Sequence, residues 1–226
     1  MSIWTRISAA VASLSQGAPL SDVFAQLRTP PERSVGFTIA VIALGAKMAK
    51  ADGQVTRDEV TAFKEVFQIA QDDEAGAAKV FNLARQDATG FEAYAAHVRD
   101  MFGAGHEALN DLLEGLFHIA MADGMYHPNE DAFLQDVADI FGLSERGFRQ
   151  IRSRFVPDAD ADPYTVLGVE PDASLAEIKQ AWRALVRESH PDQMIARGLP
   201  QEAVKMAEKR MIAINRAWEE IVERRG

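Results

Sequence analysis

Apolar residues along this chain recur at helical spacing through most of its length, and no persuasive strand series interrupts them. Turn-forming clusters break the pattern at Gly17 to Pro19, Thr29 to Pro31, Asp52 to Val55, Gly103 to Gly105, Asp123 to Pro128 and Gly142. An all-α fold, with a helical bundle upstream, is the simplest way to bury the resulting faces. The longest apolar stretch, Val35 to Ala46, spans about a dozen residues and meets Lys47 too soon to cross a bilayer as a helix, which takes about 20. It predicts a buried helix. The run Ile7 to Leu14 is also short, follows the single Arg6 and lacks a small-residue cleavage site, so no signal peptide is expected.

The pattern changes at Val156 to Asp162, where Pro157 and three spaced aspartates predict a solvated connector. Asp162 then reads as an N-cap, Pro163 as a first helical residue and Gly168 as the terminator of a short helix, with Tyr164 and Leu167 on its inner face. Ser174 to Glu177 is a capping box that opens a longer helix. Its apolar positions are Ile178, Ala181, Trp182, Leu185 and Val186, while Lys179, Arg183 and Arg187 follow one another every fourth residue. At about 100° per residue, these cations and His190 share a stripe roughly 80° wide, some 130° from the apolar stripe. Pro191 supplies no N–H and disfavours helical geometry in the residue before it, so the helix is expected to stop at or just before His190. His190 and Asp192 would then stand exposed on a stiff turn beside the cations. A second helix is expected from about Pro200 to Arg224, with Val204, Ala207, Met211, Ile214, Trp218 and Ile221 packing antiparallel on the first. A basic stripe alone is ordinarily a solvated helix face; the adjoining turn is what points to docking.

Composition narrows the function. The chain has 226 residues, 47% of them hydrophobic, enough for a sizeable core in one or two domains. It has no cysteine, which removes disulfides, thiolate metal sites and cysteine nucleophiles. The net charge of −10 divides into −7 over residues 1 to 156 and −3 over residues 157 to 226, so no general nucleic-acid surface is expected. Neither a glycine-rich phosphate loop nor a nucleophile, base and orienting-acid set stands out, so the chain is not expected to be an enzyme or to need a cofactor.

The upstream part contains an internal echo. Ala51-Asp52-Gly53 is followed by Glu59 and Phe63, and Ala122-Asp123-Gly124 by Glu130 and Leu134, each copy displaced by 71 residues. Asp52, Glu59, Asp123 and Glu130 are therefore weak candidates for a hard-cation site. Local structure accounts for them more simply: Gly53 and Gly124 can end helices in left-handed geometry, Thr56 to Glu59 is a capping box, and Glu130 suits the first turn of a helix. His97, His106, His118 and His127 form no recognisable zinc motif, and His118, among Leu116, Phe117 and Ile119, reads as a hydrogen-bonded bundle histidine.

The Asp162-Pro163-Tyr164-x-x-Leu167-Gly168-Val169 opening, the Glu177-Ile178-Lys179-x-Ala181-Trp182-Arg183 run, His190-Pro191-Asp192 and Ile214-Asn215-Arg216-Ala217-Trp218 together resemble the J-domain of DnaJ-type co-chaperones. Two departures stand out: Gln193 replaces a frequent lysine, and Arg210-Met211 replaces a frequent Lys-Phe. Residues Met194 to Pro200 are similar to the loop of the DjlA-like subgroup, and residues 33 to 155 resemble the TerB-like bundle that accompanies a J-domain there. The resemblance implies four parts: an N-terminal helical extension over 1–32, a TerB-like bundle over 33–156, a linker over 157–161 and a J-domain over 162–226. It also implies a DnaK-type chaperone partner whose ATP hydrolysis is stimulated through His190, Pro191, Asp192, Lys179, Arg183 and Arg187, while the bundle selects a client or partner. DjlA-like proteins often begin with a membrane span; no such segment is expected here, and a cytoplasmic location is. The alternatives are a metal-linked stress-response module with the J-domain as accessory, and an assembly scaffold whose bundle forms homo-oligomers.

Overall fold

A computed structural model describes residues 7, 32–52, 61, 64, 74–86, 90–156, 162–197, 199 and 204–225. Among them are ten helices and no strand: α1 (Glu32–Asp52), α2 (Glu74–Gln86), α3 (Phe91–Phe102), α4 (Glu107–Ala120), α5 (Pro128–Phe141), α6 (Glu145–Phe155), α7 (Pro163–Leu167), α8 (Leu175–Glu188), α9 (Pro191–Ala196) and α10 (Val204–Arg225). The all-α architecture is as the periodicity implies. The linker over 157–161 and all but one of residues 1–31 lie outside the described residues.

Helix α1 carries the apolar stretch from Val35, and every residue from there to Ala49 is buried. A helix apolar on all sides belongs in the middle of a bundle, and α2, α3, α4 and α5 pack around it. Lys47 is no exception, because its ammonium lies 4.9 Å from the centroid of the Tyr94 ring while its stem fills the core. No described helix is long and apolar enough to cross a membrane. Phe117 of α4 anchors a second layer, with ring centroids 5.8 Å from Tyr126, 5.6 Å from Phe148 and 5.8 Å from Phe155, so α6 is held on by aromatic contact.

The expected breaks at Gly103 to Gly105, Asp123 to Pro128 and Gly142 fall where the chain turns, while those at Gly17 to Pro19, Thr29 to Pro31 and, beyond Asp52 itself, Asp52 to Val55 lie outside the described residues. Gly142 follows α5 with φ 83°, and its amide closes on Ala138 and Asp139 carbonyls. A side chain there would meet the backbone strain that glycine avoids. Gly168 ends α7 in the same way, with φ 69°.

The helical hairpin forms as its pattern predicts, but its last helix serves two cores. Ile214, Ala217 and Ile221 of α10 pack with Val166, Leu167 and Ile178 to form the hairpin's own core, flanked by Trp182 and Trp218, whose stacked rings are 5.2 Å apart. One turn and more upstream, Met206 and Ala207 instead join the bundle core, together with Met194 and Leu199. Gly115 of α4 faces this contact: a Cβ there would sit 3.4 Å from the Met206 methyl, at the near edge of ordinary van der Waals contact.

Candidate functional site

Each local signal read from the sequence is used to build the hairpin. Asp162 accepts from the backbone N–H groups of Tyr164 and Thr165 at 3.3 and 3.1 Å, which starts α7. At the start of α8, Ser174 and Glu177 cap one another, with Ser174 N–H donating to Glu177 Oε2 at 2.8 Å and Glu177 N–H donating to Ser174 Oγ at 3.3 Å. The Ser174 hydroxyl also donates to Glu177 Oε2 at 2.7 Å, and this bond together with that from the Ser174 amide holds the Glu177 carboxyl below its ordinary range. Trp182 Nε1–H donates to Asn215 at 2.9 Å and sets the register of α8 against α10. Arg225 closes the far end by donating to the Tyr164 hydroxyl at 2.9 Å and the Ala173 carbonyl at 2.7 Å.

Helix α8 ends at Glu188, just before the expected stop, and the buried Ser189 hydroxyl donates back to the Leu185 carbonyl at 2.7 Å. Beyond it the chain departs from the expected stiff turn and loop. Residues Pro191 to Ala196 form the short helix α9, with His190 as its N-cap and Pro191 at its first position. The reason is local: His190 Nδ1 accepts the Asp192 N–H at 3.2 Å, and the His190 carbonyl accepts from Gln193 and Met194. Proline opens this helix rather than ending one. With Nδ1 acting as acceptor, the neutral imidazole carries its proton on Nε2.

His190 and Asp192 remain on the surface, their side chains 61% and 85% exposed, with His190 Nδ1 3.7 Å from Asp192 Oδ2. Lys179, Arg183 and Arg187 are exposed along α8 and, with Ala176 and Gln180, line one shallow open groove. The structure therefore gathers the cations on one exposed face and leaves the corner uncovered.

Of the four weak metal candidates, Asp123 and Glu130 have described side chains. Asp123 accepts the Met125 N–H at 2.9 Å in a turn, and Glu130 is buried with its carboxylate accepting the His127 N–H at 3.0 Å. Both are thus engaged in local structure. Asp52 closes α1 but its side chain, like the whole of Glu59, lies outside the described residues. No group of three or more potential metal ligands comes together among the described residues.

Sequence reasoning missed a buried charge network between bundle and hairpin. Asp111 and Glu114, one turn apart on α4, are each 1% exposed. Arg210 donates Nε–H to Glu114 at 2.6 Å and also pairs with Asp111. Arg154 of α6 reaches Glu114 at 2.7 Å, and Arg197 reaches Asp111 at 3.0 Å. Burial pushes the Asp111 carboxyl up and the Arg154 guanidinium down from their ordinary values. Burial acts downward on Arg210 too, but the Glu114 and Asp111 charges outweigh it and hold its proton more tightly than usual. These residues line a cleft of about 330 Å³ between the two halves. The signals available were two acids, Asp111 and Glu114, interleaved with Leu109, Leu112, Leu113 and Leu116, and an arginine where the resemblance leads one to expect lysine. Arginine's fork can serve two carboxylates at once, whereas lysine presents a point charge.

His118 adds a second contact across the same interface. The Lys209 ammonium lies 3.1 Å from both of its ring nitrogens. Burial, followed by the Lys209 charge, lowers its pKa from 6.5 to about 4. Between those values the unfolded chain takes up a proton that the folded chain refuses, so this contribution is complete above pH 6.5 and declines toward about pH 4. Discounted for partial solvent exposure, the loss between pH 7 and pH 5 is about 1 kcal/mol. Urea titrations at the two pH values should show His118→Leu losing less stability on acidification than wild type; equal losses would refute the assignment.

Comparison with known proteins follows the same division. The model of the tellurite resistance protein TerB matches residues 38–153, and that of the DnaJ domain matches residues 162–224. The co-chaperone protein DjlA of Photobacterium profundum is 30% identical over 224 residues, covering 86% of this chain and 80% of the relative. Its counterpart in Vibrio cholerae is 28% identical, covering 94% of this chain and 86% of the relative. That of Escherichia coli K12 is 33% identical over 137 residues, about half of each chain. No solved structure matches this chain. With both of its domains matched in order and a relative aligned along most of its length, the chain belongs to the DjlA co-chaperone family.

Proposed function

We propose that this protein docks on a DnaK-type chaperone and stimulates its ATP hydrolysis, while the bundle selects the client or partner to which that activity is delivered. The observation that carries the reading is the His190-Pro191-Asp192 corner, with His190 and Asp192 exposed beside three exposed cations, on a hairpin anchored to the bundle core through Met194, Leu199, Met206 and Ala207. Lys179, Arg183 and Arg187 would attract an acidic surface over a distance and speed encounter. The corner would then supply short, oriented contacts that distinguish a productive complex from a merely adjacent one. The protein breaks no bond itself; it biases the state of a partner that does. ATP must be present where the hairpin works, which accords with a cytoplasmic setting.

The test is single-turnover ATP hydrolysis by a DnaK-type chaperone, measured across protein and salt concentration. Wild type should accelerate the turnover, and added salt should raise the concentration needed for half-maximal effect. Reversing Arg183 and Arg187 to Glu should raise that concentration at least about tenfold at low salt and flatten its salt dependence. Helicity should be unchanged, since both residues are exposed on α8. No acceleration by wild type, or an unaltered salt slope in the double variant, would defeat the reading.

A further inference from the structure

Arg197 lies on the bundle side of the corner and touches both of its flanks. Its Nη1–H groups donate to the Glu188 carbonyl, the last residue of α8, at 3.0 Å and to Glu107 of α4 at 3.0 Å. Its Nε–H donates to Asp111 at 3.1 Å, and Nη2 lies 3.0 Å from the same carboxylate. Its own amide closes α9 on the Gln193 and Met194 carbonyls at 3.1 Å. The corner, Ser189 to Asp192, is therefore bracketed by one residue: the Arg197 amide closes α9 after it, and the Arg197 guanidinium ties Glu188 before it to a carboxylate 1% exposed. Met194 and Leu199, buried in the bundle core on either side of Arg197, fix the same segment by packing.

We propose that Arg197 is a positioning residue: it braces the His190 corner against the bundle, so that α4 fixes the direction in which the corner is presented to the partner. The inference rests on the docking reading above and extends it to the bundle. A planar, five-donor fork suits this task, because it can hold a backbone carbonyl and two carboxylates in one geometry. Without the brace, the corner would sample several orientations, and only a fraction of complexes drawn together by the cationic stripe would be productive. The loss would appear in the maximal stimulated rate rather than in the concentration needed to reach it.

The full chain carrying Arg197→Ala or Arg197→Lys provides the test. Loss of Arg197 leaves Asp111 paired with Arg210, so no buried carboxylate is orphaned and the fold should survive. The near-ultraviolet signal of the stacked Trp182 and Trp218 checks that the hairpin is intact. In Arg197→Ala, amide hydrogens of residues 189–197 should exchange about tenfold faster, while those in the first turns of α8 are unaffected. The maximal stimulated rate should fall about five- to tenfold, with the half-maximal concentration changed less than about twofold. Lysine should recover less than half of the lost rate. Unchanged exchange over 189–197, an unchanged maximal rate, or a change confined to the half-maximal concentration would each overturn the brace. If wild type itself failed to stimulate, the docking reading would fall, while the exchange measurement would still decide whether Arg197 orders the corner.

Discussion

Replacing His190 by Gln is expected to abolish stimulation of the partner's ATP hydrolysis while leaving the fold in place. The imidazole packs into neither hydrophobic core, and its structural duty is to cap the short helix α9 by accepting the Asp192 N–H at 3.2 Å. Losing an exposed cap costs about 1 kcal/mol at most for so short a helix, and the glutamine carbonyl can replace part of it. Thermal or urea unfolding should therefore shift little. The functional loss is larger because the ring also presents an exposed Nε2 donor at the apex of the corner, with a shape that a flexible amide does not reproduce. Removing one or two oriented hydrogen bonds from a docked complex costs about 2–3 kcal/mol, which lowers the stimulated rate by at least about tenfold. Single-turnover hydrolysis measured alongside a circular dichroism melt separates the two effects. Full stimulation by the variant would show that the corner is not the point of contact, and a collapsed melt would show that its structural duty is larger than the geometry indicates.

The second large effect is expected at Arg210, where Ala removes two buried charge-assisted hydrogen bonds and should destabilise the chain by about 2–4 kcal/mol at neutral pH. The Arg210 side chain is only 7% exposed, and among the described residues it alone is bonded to both Asp111 and Glu114. Its loss leaves each carboxylate one arginine among the described residues, Arg197 for Asp111 and Arg154 for Glu114, in a setting where burial already raises the Asp111 pKa. Asp111 should then bind a proton more readily still. A carboxyl whose folded pKa lies above its unfolded value favours the folded state increasingly as pH falls toward the unfolded value, so the deficit should shrink between neutral pH and about pH 4. Arg210→Lys keeps the charge but not the two-pronged geometry and should fall between wild type and Ala. Urea midpoints at pH 7.5 and pH 5 read all of this. A loss below about 1 kcal/mol, or a deficit that grows on acidification, would mean that the network contributes little to holding the halves together.

The hairpin is legible in the sequence because its signals are local. Capping residues at Asp162 and Ser174, the terminator Gly168 and two apolar stripes each act within a few residues, and their spacing needs no knowledge of the rest of the chain. The exposure of the cationic stripe comes from the same arithmetic. Helix α9 is not legible, because a proline that ends the helix before it can equally open one after it, and the sequence does not say which. The interface is hidden for a different reason. Asp111 and Arg210 are 99 residues apart, and an acid within an apolar helix or an arginine in place of a lysine has no meaning until its partner is known. Departures from a family pattern are where such pairs surface: Arg210, neutral for the architecture as far as the sequence tells, is the central anchor of the contact. The echo at Asp123 and Glu130 is legible as turn and cap chemistry, which is how both residues are engaged.

Because the first turns of α10 lie in one core and the remainder in another, the point at which this chain could be cut and rejoined does not coincide with its linker. A chimera that received a foreign hairpin from Asp162 onward would arrive without Met206, Ala207 and Arg210, leaving Gly115 facing a gap and two acids without their shared cation. Successful transplantation would have to carry those positions along, which makes the surface of α4 a constraint on any hairpin this bundle can accept.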